Sequence, residues 1–135
     1  MVFCFGSVIG VFCHPYWFTS LRYDVGRELT GHILATQPFD VLELLGGYRR
    51  CEVDSNTLMV ARYHEERAKG RRIPIVGVSD AHDLHAGELF GWYYTVAFSP
   101  SCAYHDLAAG LREGFSVAVE ATTPIPAGGP ATAPA

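Results

Sequence analysis

The pair of residues with the clearest chemical potential is Asp80 and His82, which follow an apolar strand-like run in the segment SDAH at residues 79–82. A carboxylate and an imidazole two positions apart at a strand end can ligate one metal ion or two adjacent ions. Oxygen and nitrogen donors together suit zinc, manganese or iron. The alternative is that the Ser-Asp pair only forms a turn or caps a helix, with His82 an ordinary surface residue. The pair alone leaves both interpretations open.

Two further candidates lie at or near the ends of other apolar runs. His14 precedes Pro15, which biases its backbone toward an extended conformation, so we expect its imidazole to project from the strand end. A His-Pro pair by itself is more typical of a loop, but a position on the same edge as Asp80 favours a metal ligand. Glu43 lies inside the apolar segment 41–45. It is either buried with a cation, a donor or a metal ion as its partner, or turned to solvent by strand alternation.

Residues flanking these candidates could contact a substrate. Arg49 follows a Gly-Gly turn and could bind a phosphate bidentately, although a solvated surface arginine is the more common outcome. Asp83 extends the cluster of Asp80 and His82. We expect it to contact the metal ligands or to lie on the surface rather than to bind metal itself. The aromatic run at 16–18 is more typical of core packing than of a substrate stack.

The elements that must position these residues follow from hydrophobic periodicity. Apolar runs predict strands, and helical spacing with Gly stops predicts helices. We predict strands at 8–13, 39–45, 73–78, 92–98 and 115–120, and helices at 25–36, 56–69 and 104–112. This alternation predicts an α/β fold with mostly parallel strands, whose carboxyl ends meet on one edge.

Composition limits the class of protein. The chain has 135 residues, is 49% apolar and carries a net charge of -4, which favours one folded domain over residues 1–121 and argues against a stable nucleic-acid partner. Residues 122–135 are almost entirely Pro, Ala, Gly and Thr, and we expect a disordered tail there. Four cysteines without C-x-x-C spacing predict reduced, mostly buried thiols in a cytoplasmic protein. The apolar start lacks the features of a signal peptide or a membrane span, so we expect no membrane association.

Three segments in this order resemble the later motifs of the PHP (polymerase and histidinol phosphatase) superfamily: FCHP at 12–15, FDVLEL at 39–44 and IVGVSDAH at 75–82. The resemblance spans about residues 8–120. It implies a partial, distorted (β/α)7, TIM-like barrel with divalent metal ions at its carboxyl-end rim. It also implies that His14, Asp80 and His82 are metal ligands, and that Asp80 and His82 act in catalysis. Glu43 matches a recurring acidic position of the family but not its bridging glutamate.

The chain departs from the family pattern at its beginning. The opening H-x-H motif, a further histidine and the bridging carboxylate of the family belong upstream of His14, which only thirteen residues precede. A complete barrel of this type needs about 250 residues, so we expect about the first half to be absent. Three ligands shared among several metal ions would then hold each ion weakly, unless a partner chain supplied further ligands.

Three hypotheses follow for the function. The first is a metal-dependent phosphoesterase acting on a phosphorylated small molecule or a nucleotide-like substrate. The second is a non-catalytic remnant, or a half-barrel that pairs with a homo-oligomeric or different partner chain. The third is a small-molecule-binding α/β module that uses the aromatic residues of the rim.

Overall fold

The computed structural model describes residues 8–17, 25–47, 53–82 and 91–121. Its elements are β1 (Val11–Phe12), α1 (Arg27–Thr36), β2 (Val41–Gly46), α2 (Val53–Ala68), β3 (Ile75–Val78), β4 (Tyr93–Ala97), α3 (Tyr104–Arg112) and β5 (Ser116–Glu120). Each predicted strand and helix is present, α3 with the predicted ends and the others with shorter or shifted ends, and the prediction of an α/β fold is confirmed. No helix within these ranges is long and apolar enough to cross a membrane. The expected tail at 122–135 lies outside them.

A three-stranded parallel sheet forms the centre of the fold, in the order β1-β2-β3. Val11 pairs with Val41, and Leu42 pairs with Ile75. β2 is buried along almost its whole length, as expected for the middle strand of a parallel sheet covered on both faces. The carboxyl ends of the three strands therefore meet at one edge.

The last two strands form a separate antiparallel pair, β4-β5. The Phe98 N–H donates to the Phe115 carbonyl at 2.8 Å, so the chain returns beside β4 after α3 instead of crossing over. The expectation of parallel strands therefore holds for β1 to β3 and not for β4 and β5. The described strands do not close into a barrel.

The β4-β5 pair is joined to β3 by side-chain hydroxyl groups. The Thr95 hydroxyl accepts a hydrogen bond from the Gly77 N–H at 3.0 Å and donates one to the Gly77 carbonyl at 2.8 Å. The Ser116 hydroxyl donates to the Ile75 carbonyl at 2.7 Å. These bonds satisfy backbone groups on the side of β3 that faces away from β2.

The buried face of α2 contains a carboxylate as well as an apolar residue. Met59 and Glu66, two turns apart, are almost fully buried, while Leu58 is 37% exposed and Ala61 is exposed. Glu66 lies in a charged run at residues 65–67, a context that is typical of a solvated position. Met59 instead joins Phe12, Tyr16, Leu34, Leu42, Leu44 and Ile73 in the core.

Glu66 is buried within a set of cationic partners. Lys69 and Arg71 donate to its two carboxylate oxygens at 2.8 and 3.0 Å, and an Arg62 nitrogen lies 2.9 Å away. Arg71 also donates to the Gln37 side-chain carbonyl at 3.0 Å, which connects the end of α2 to the end of α1. The hydrogen bond from Lys69, with those from Arg71 and the charge of Arg62, lowers the pKa of Glu66.

Asp40 connects three elements at the opposite edge from the carboxyl ends. Its carboxylate accepts hydrogen bonds from the Gly10 N–H at 2.8 Å and from the Arg112 guanidinium at 3.1 Å. Arg112 also donates to the Val8 carbonyl. The backbone bond from Gly10, with the contribution of Arg112, lowers the pKa of Asp40.

The two lowered pKa values predict acid sensitivity. Each carboxylate stabilises the fold above its unfolded pKa, about 3.9 for Asp and 4.3 for Glu, and this stabilisation is lost as the pH falls through the lower folded values. We expect the urea midpoint to fall steeply below about pH 4. Asp40→Asn should make that fall shallower in urea titrations followed by circular dichroism, and an unchanged slope would contradict the assignment.

Candidate metal centre

The three parallel strands bring four sequence-predicted residues together at their carboxyl ends. His14 follows β1, Glu43 lies in β2, and Asp80 and His82 follow β3. His14 Nδ1 lies 3.7 Å from Glu43 Oε1, and His14 Nε2 lies 3.8 Å from Asp80 Oδ1. His82 Nε2 lies 3.7 Å from the same Asp80 oxygen. We call His14, Glu43, Asp80 and His82 the rim cluster.

Two residues of the rim cluster have left-handed backbone conformations. The φ angles are +55° for His14 and +52° for Asp80. The expectation of an extended backbone at His14 is therefore wrong, because the chain turns at this residue despite the following proline. A non-glycine residue in this region costs about 1–2 kcal/mol, and such strain is concentrated at functional sites. Both turns occur directly after a strand and redirect the side chains.

Glu43 is buried, with 4% of its surface exposed. The interpretation in which strand alternation turns it to solvent is therefore wrong. Its carboxylate lies over Gly46, where an added Cβ would be 1.9 Å from Glu43 Oε1. The register between β2 and β3 shifts between Glu43 and Leu45, and such irregularities re-aim side chains near functional sites. Gly46 thus leaves the space that the carboxylate occupies.

Asn56 holds the end of β2 and was missed in the sequence. Its side-chain oxygen accepts from the Gly46 N–H at 2.9 Å, and its amide nitrogen donates to the Gly46 carbonyl at 3.0 Å. Helix α2 begins at Val53, so Asn56 belongs to its first turn rather than marking the start of the helix. An asparagine soon after a glycine-terminated strand was the available signal, but its partner depends on the tertiary fold.

Gly46→Ala should destabilise the protein by about 1–3 kcal/mol, the usual cost of overpacking a filled site. The buried Glu43 carboxylate would have to leave its position to make room for the new methyl group. The free energy of unfolding in urea measures the effect. Gly31→Ala is the control, because nothing lies within 4 Å of a Cβ there. Equal stability of Gly46→Ala and the wild type would contradict the packing described.

Cys13 lies beside the rim cluster and was also missed. Partial burial of the thiol, with the carboxylate charges of Glu43 and Asp80, raises the pKa of Cys13 to about 11. The residue as a whole is exposed, as is Cys102, and both are free cysteines. The expectation of buried thiols is therefore wrong for these two, and Cys4 and Cys51 lie outside the described residues.

The aromatic residues after His14 divide between core and rim. Tyr16 is 4% exposed and belongs to the core, as the sequence predicted for this run. The Trp17 ring lies 5.5 Å from the His14 ring, at an interplanar angle of 55°. Trp17 therefore limits the positions open to the His14 imidazole.

A cleft of about 460 Å³ opens beside Asp80. It is lined by Gly77, Val78, Ser79, Asp80, Ala81, Gly91, Tyr93, Tyr94 and Thr95. No lysine or arginine is among these lining residues. The volume suits a small molecule, and the carboxylate of Asp80 disfavours an anion there unless a cation is also bound.

The donor atoms of the rim cluster are of the types that bind a divalent metal ion, although the distances between them are too long. Among the described side chains, no group of three or more His, Cys, Asp or Glu is arranged to hold a metal ion. Two ligand atoms on a tetrahedral ion with bonds of about 2.1 Å are about 3.4 Å apart. The nitrogen–oxygen distances of 3.7 and 3.8 Å exceed this by a few tenths of an ångström. The His82 side chain is 70% exposed, so rotation about its side-chain bonds can shorten its distance to Asp80, whereas the two distances from His14 do not depend on it.

Two of the predicted contact residues, Arg49 and Asp83, lie outside the described residues. Three further histidines are solvent-exposed on helices: His32, His64 and His105. His105 Nε2 lies 3.3 Å from Asp106 Oδ1 on α3, a second exposed His-Asp pair that provides a control for the rim cluster.

A scan against models of known protein families, a search of curated proteins and a search of solved structures each found no match for this chain. The resemblance to the PHP superfamily accordingly rests on the three sequence motifs alone.

Proposed function

We propose that this chain carries part of the metal-binding rim of a PHP-like, metal-dependent phosphoesterase. The observation that supports the proposal is the convergence of His14, Glu43, Asp80 and His82 from three strands, with nitrogen–oxygen distances of 3.7–3.8 Å. His14, Asp80 and His82 follow the ends of β1 and β3, and they belong to the motifs on which the family resemblance rests.

Each residue of the rim cluster has a separate task in this proposal. Asp80 lies between the two imidazoles. It would bind a zinc, manganese or iron ion together with His14 and His82. Glu43 is buried beside His14 and would hold its ring in place through Nδ1. A divalent cation supplies Lewis-acid activation of water and compensates phosphate charge.

The cleft beside Asp80 favours a phosphorylated small molecule or a nucleotide-like compound as the substrate. Its volume of about 460 Å³ accommodates such a molecule. Tyr93 and Tyr94 line one side and could pack against an apolar or ring portion of the substrate. Because the described lining contains no basic side chain, the phosphate group would rely on the cation for charge compensation.

Asp80→Asn should remove both metal binding and phosphoester hydrolysis. Protein dialysed against Zn²⁺ or Mn²⁺ is assayed for bound metal by elemental analysis and for cleavage of para-nitrophenyl phosphate. The loss of affinity should exceed the roughly 10–100-fold cost of removing an outer contact to a metal ligand. Asp106→Asn is the matched control, since Asp106 also pairs with an exposed histidine. Hydrolysis that survives Asp80→Asn or a chelator would refute the proposal.

A second candidate is a half-barrel that becomes complete only with a partner chain, or a non-catalytic remnant of one. The parallel sheet favours this candidate. Among the described residues it has three strands, and β1 pairs there with β2 alone. It predicts an oligomer in light scattering, or a monomer without stoichiometric metal. A monomer that holds two or more tightly bound metal ions would exclude it.

A further inference from the structure

A second cleft lies at the amino ends of the parallel strands, away from the rim cluster. Its lining includes Ile73 and Pro74, which are buried and directly precede β3. It also includes Arg67 from the end of α2, Arg72, and Glu113 from the end of α3. The volume is about 210 Å³, below the roughly 300–1,000 Å³ of pockets that take drug-sized ligands. A small ion or molecule therefore fits this cleft.

The surroundings of the cleft are basic, although the chain is acidic overall. Five of the ten Lys and Arg residues lie between residues 62 and 72, while the net charge of the whole chain is -4. Two carboxylates pair with three of these five cations: Glu65 and Glu66 with Arg62, Lys69 and Arg71. Positive charge therefore remains in excess beside the cleft. A concave site with apolar walls concentrates such a field and attracts anions.

Backbone carbonyl groups hold the two arginines of the cleft. The Arg67 guanidinium donates to the Arg71 carbonyl at 3.2 Å, and the Arg72 guanidinium donates to the Glu113 carbonyl. These bonds position the side chains without neutralising them, because a carbonyl group carries no net charge. A guanidinium has five N–H donors in a planar fork, so each arginine has further donors that can reach an anion.

The carboxylate of Glu113 is a weak partner of Arg72. Its Oε2 lies 3.7 Å from an Arg72 nitrogen, which is beyond hydrogen-bond distance. The side chains of Arg72 and Glu113 are 67% and 65% exposed, and ion pairs so exposed contribute little to stability. An anion with better hydrogen-bond geometry can therefore take the place of this carboxylate at low cost.

We propose that this cleft binds a small phosphate dianion between Arg67 and Arg72, and that the Glu113 carboxylate moves out to solvent when it binds. The inference goes beyond the proposed metal site and does not depend on it, since the cleft lies at the other ends of the strands. Phosphate oxygens match the fork of a guanidinium, which binds them bidentately. Tyr63 also lines the cleft, and its phenol is a further hydrogen-bond donor. The ligand is either free phosphate or the phosphate group of a small monoester.

Isothermal titration calorimetry of the full chain tests the site, with chelator present to keep divalent cations away from the rim cluster. Inorganic phosphate and methyl phosphate are titrated separately at about 0.1 M salt, which screens distant charges. Arg67→Gln and Arg72→Gln should each weaken binding at least about tenfold, because each removes charged hydrogen bonds to the anion. Glu113→Gln should strengthen it about two- to fivefold, because a competing carboxylate is lost. Arg27→Gln removes an exposed arginine at the start of α1 and should leave affinity within about twofold.

The opposite signs expected for the cleft variants make the result decisive. Absence of binding by both anions, or an equal loss of affinity in Arg27→Gln and Arg72→Gln, would overturn the proposal. Affinity that is unchanged or reduced in Glu113→Gln would do the same, and this exposed position remains informative if an arginine variant does not fold. Asp80→Asn should bind phosphate as the wild type does, and a loss there would assign the binding to the rim cluster instead. Binding of either anion supports the site, and the tighter one identifies the ligand as a free ion or a monoester.

Discussion

Gly77→Ala is expected to destabilise the protein by about 3 kcal/mol, at the upper end of the range for overpacking substitutions. A Cβ at Gly77 would lie 2.6 Å from the Tyr94 carbonyl oxygen and 3.2 Å from the carbonyl carbon. These are backbone atoms, so no change of side-chain rotamer can relieve the overlap. The β4-β5 pair would have to move away from β3, which would also break the hydrogen bonds of Thr95 to Gly77.

Urea unfolding followed by circular dichroism measures this effect. The control is again Gly31→Ala, an open position inside α1, where alanine should increase stability by roughly 0.5–1 kcal/mol. A variant at Gly77 that unfolds at the wild-type urea concentration would show that β4 does not approach β3 as closely as described.

Glu66→Ala should lower stability by about 2–3 kcal/mol, because a buried carboxylate with charged hydrogen-bond partners is lost. Arg62, Lys69 and Arg71 would keep their positive charges beside one another without the anion between them. The cost stays below that of a fully buried pair, since the side chain of Lys69 is 57% exposed and remains partly hydrated.

The neighbouring residue provides a matched control for this substitution. Glu65 also pairs with Arg62, at 3.2 Å, but its side chain is 60% exposed. Glu65→Ala should therefore change the free energy of unfolding by no more than about 0.5 kcal/mol, as is usual for surface ion pairs. Equal effects of the two substitutions would mean that Glu66 is as solvated as its sequence context suggested.

The positions of the strands and helices could be predicted because apolar runs and glycine stops are local signals. The pairing of the strands was less accessible. Eighteen residues separate Ala97 from Ser116 and include a helix, which is long enough for a parallel crossover. The antiparallel outcome depends on the bond between Phe98 and Phe115 and on the packing of α3, neither of which leaves a pattern in the sequence.

The residues of the candidate site likewise divide into those that the sequence could predict and those that it could not. His14 and Asp80 were accessible because polar residues after buried strands share one edge of a parallel sheet. Cys13 was not, because its proximity to Glu43 and Asp80 depends on the tertiary fold. The burial of Glu66 was equally hidden, because its partners Lys69 and Arg71 made the segment look solvated.

The hydroxyl groups that join β4-β5 to β3 also affect the side on which a further strand could pair with the parallel sheet. Thr95 occupies both backbone groups of Gly77, and Ser116 occupies the Ile75 carbonyl. These two side chains thus occupy backbone groups that a further strand beside β3 would need. Within the described parallel sheet, β1 pairs with β2 alone, so a lateral extension of this sheet would begin beside β1.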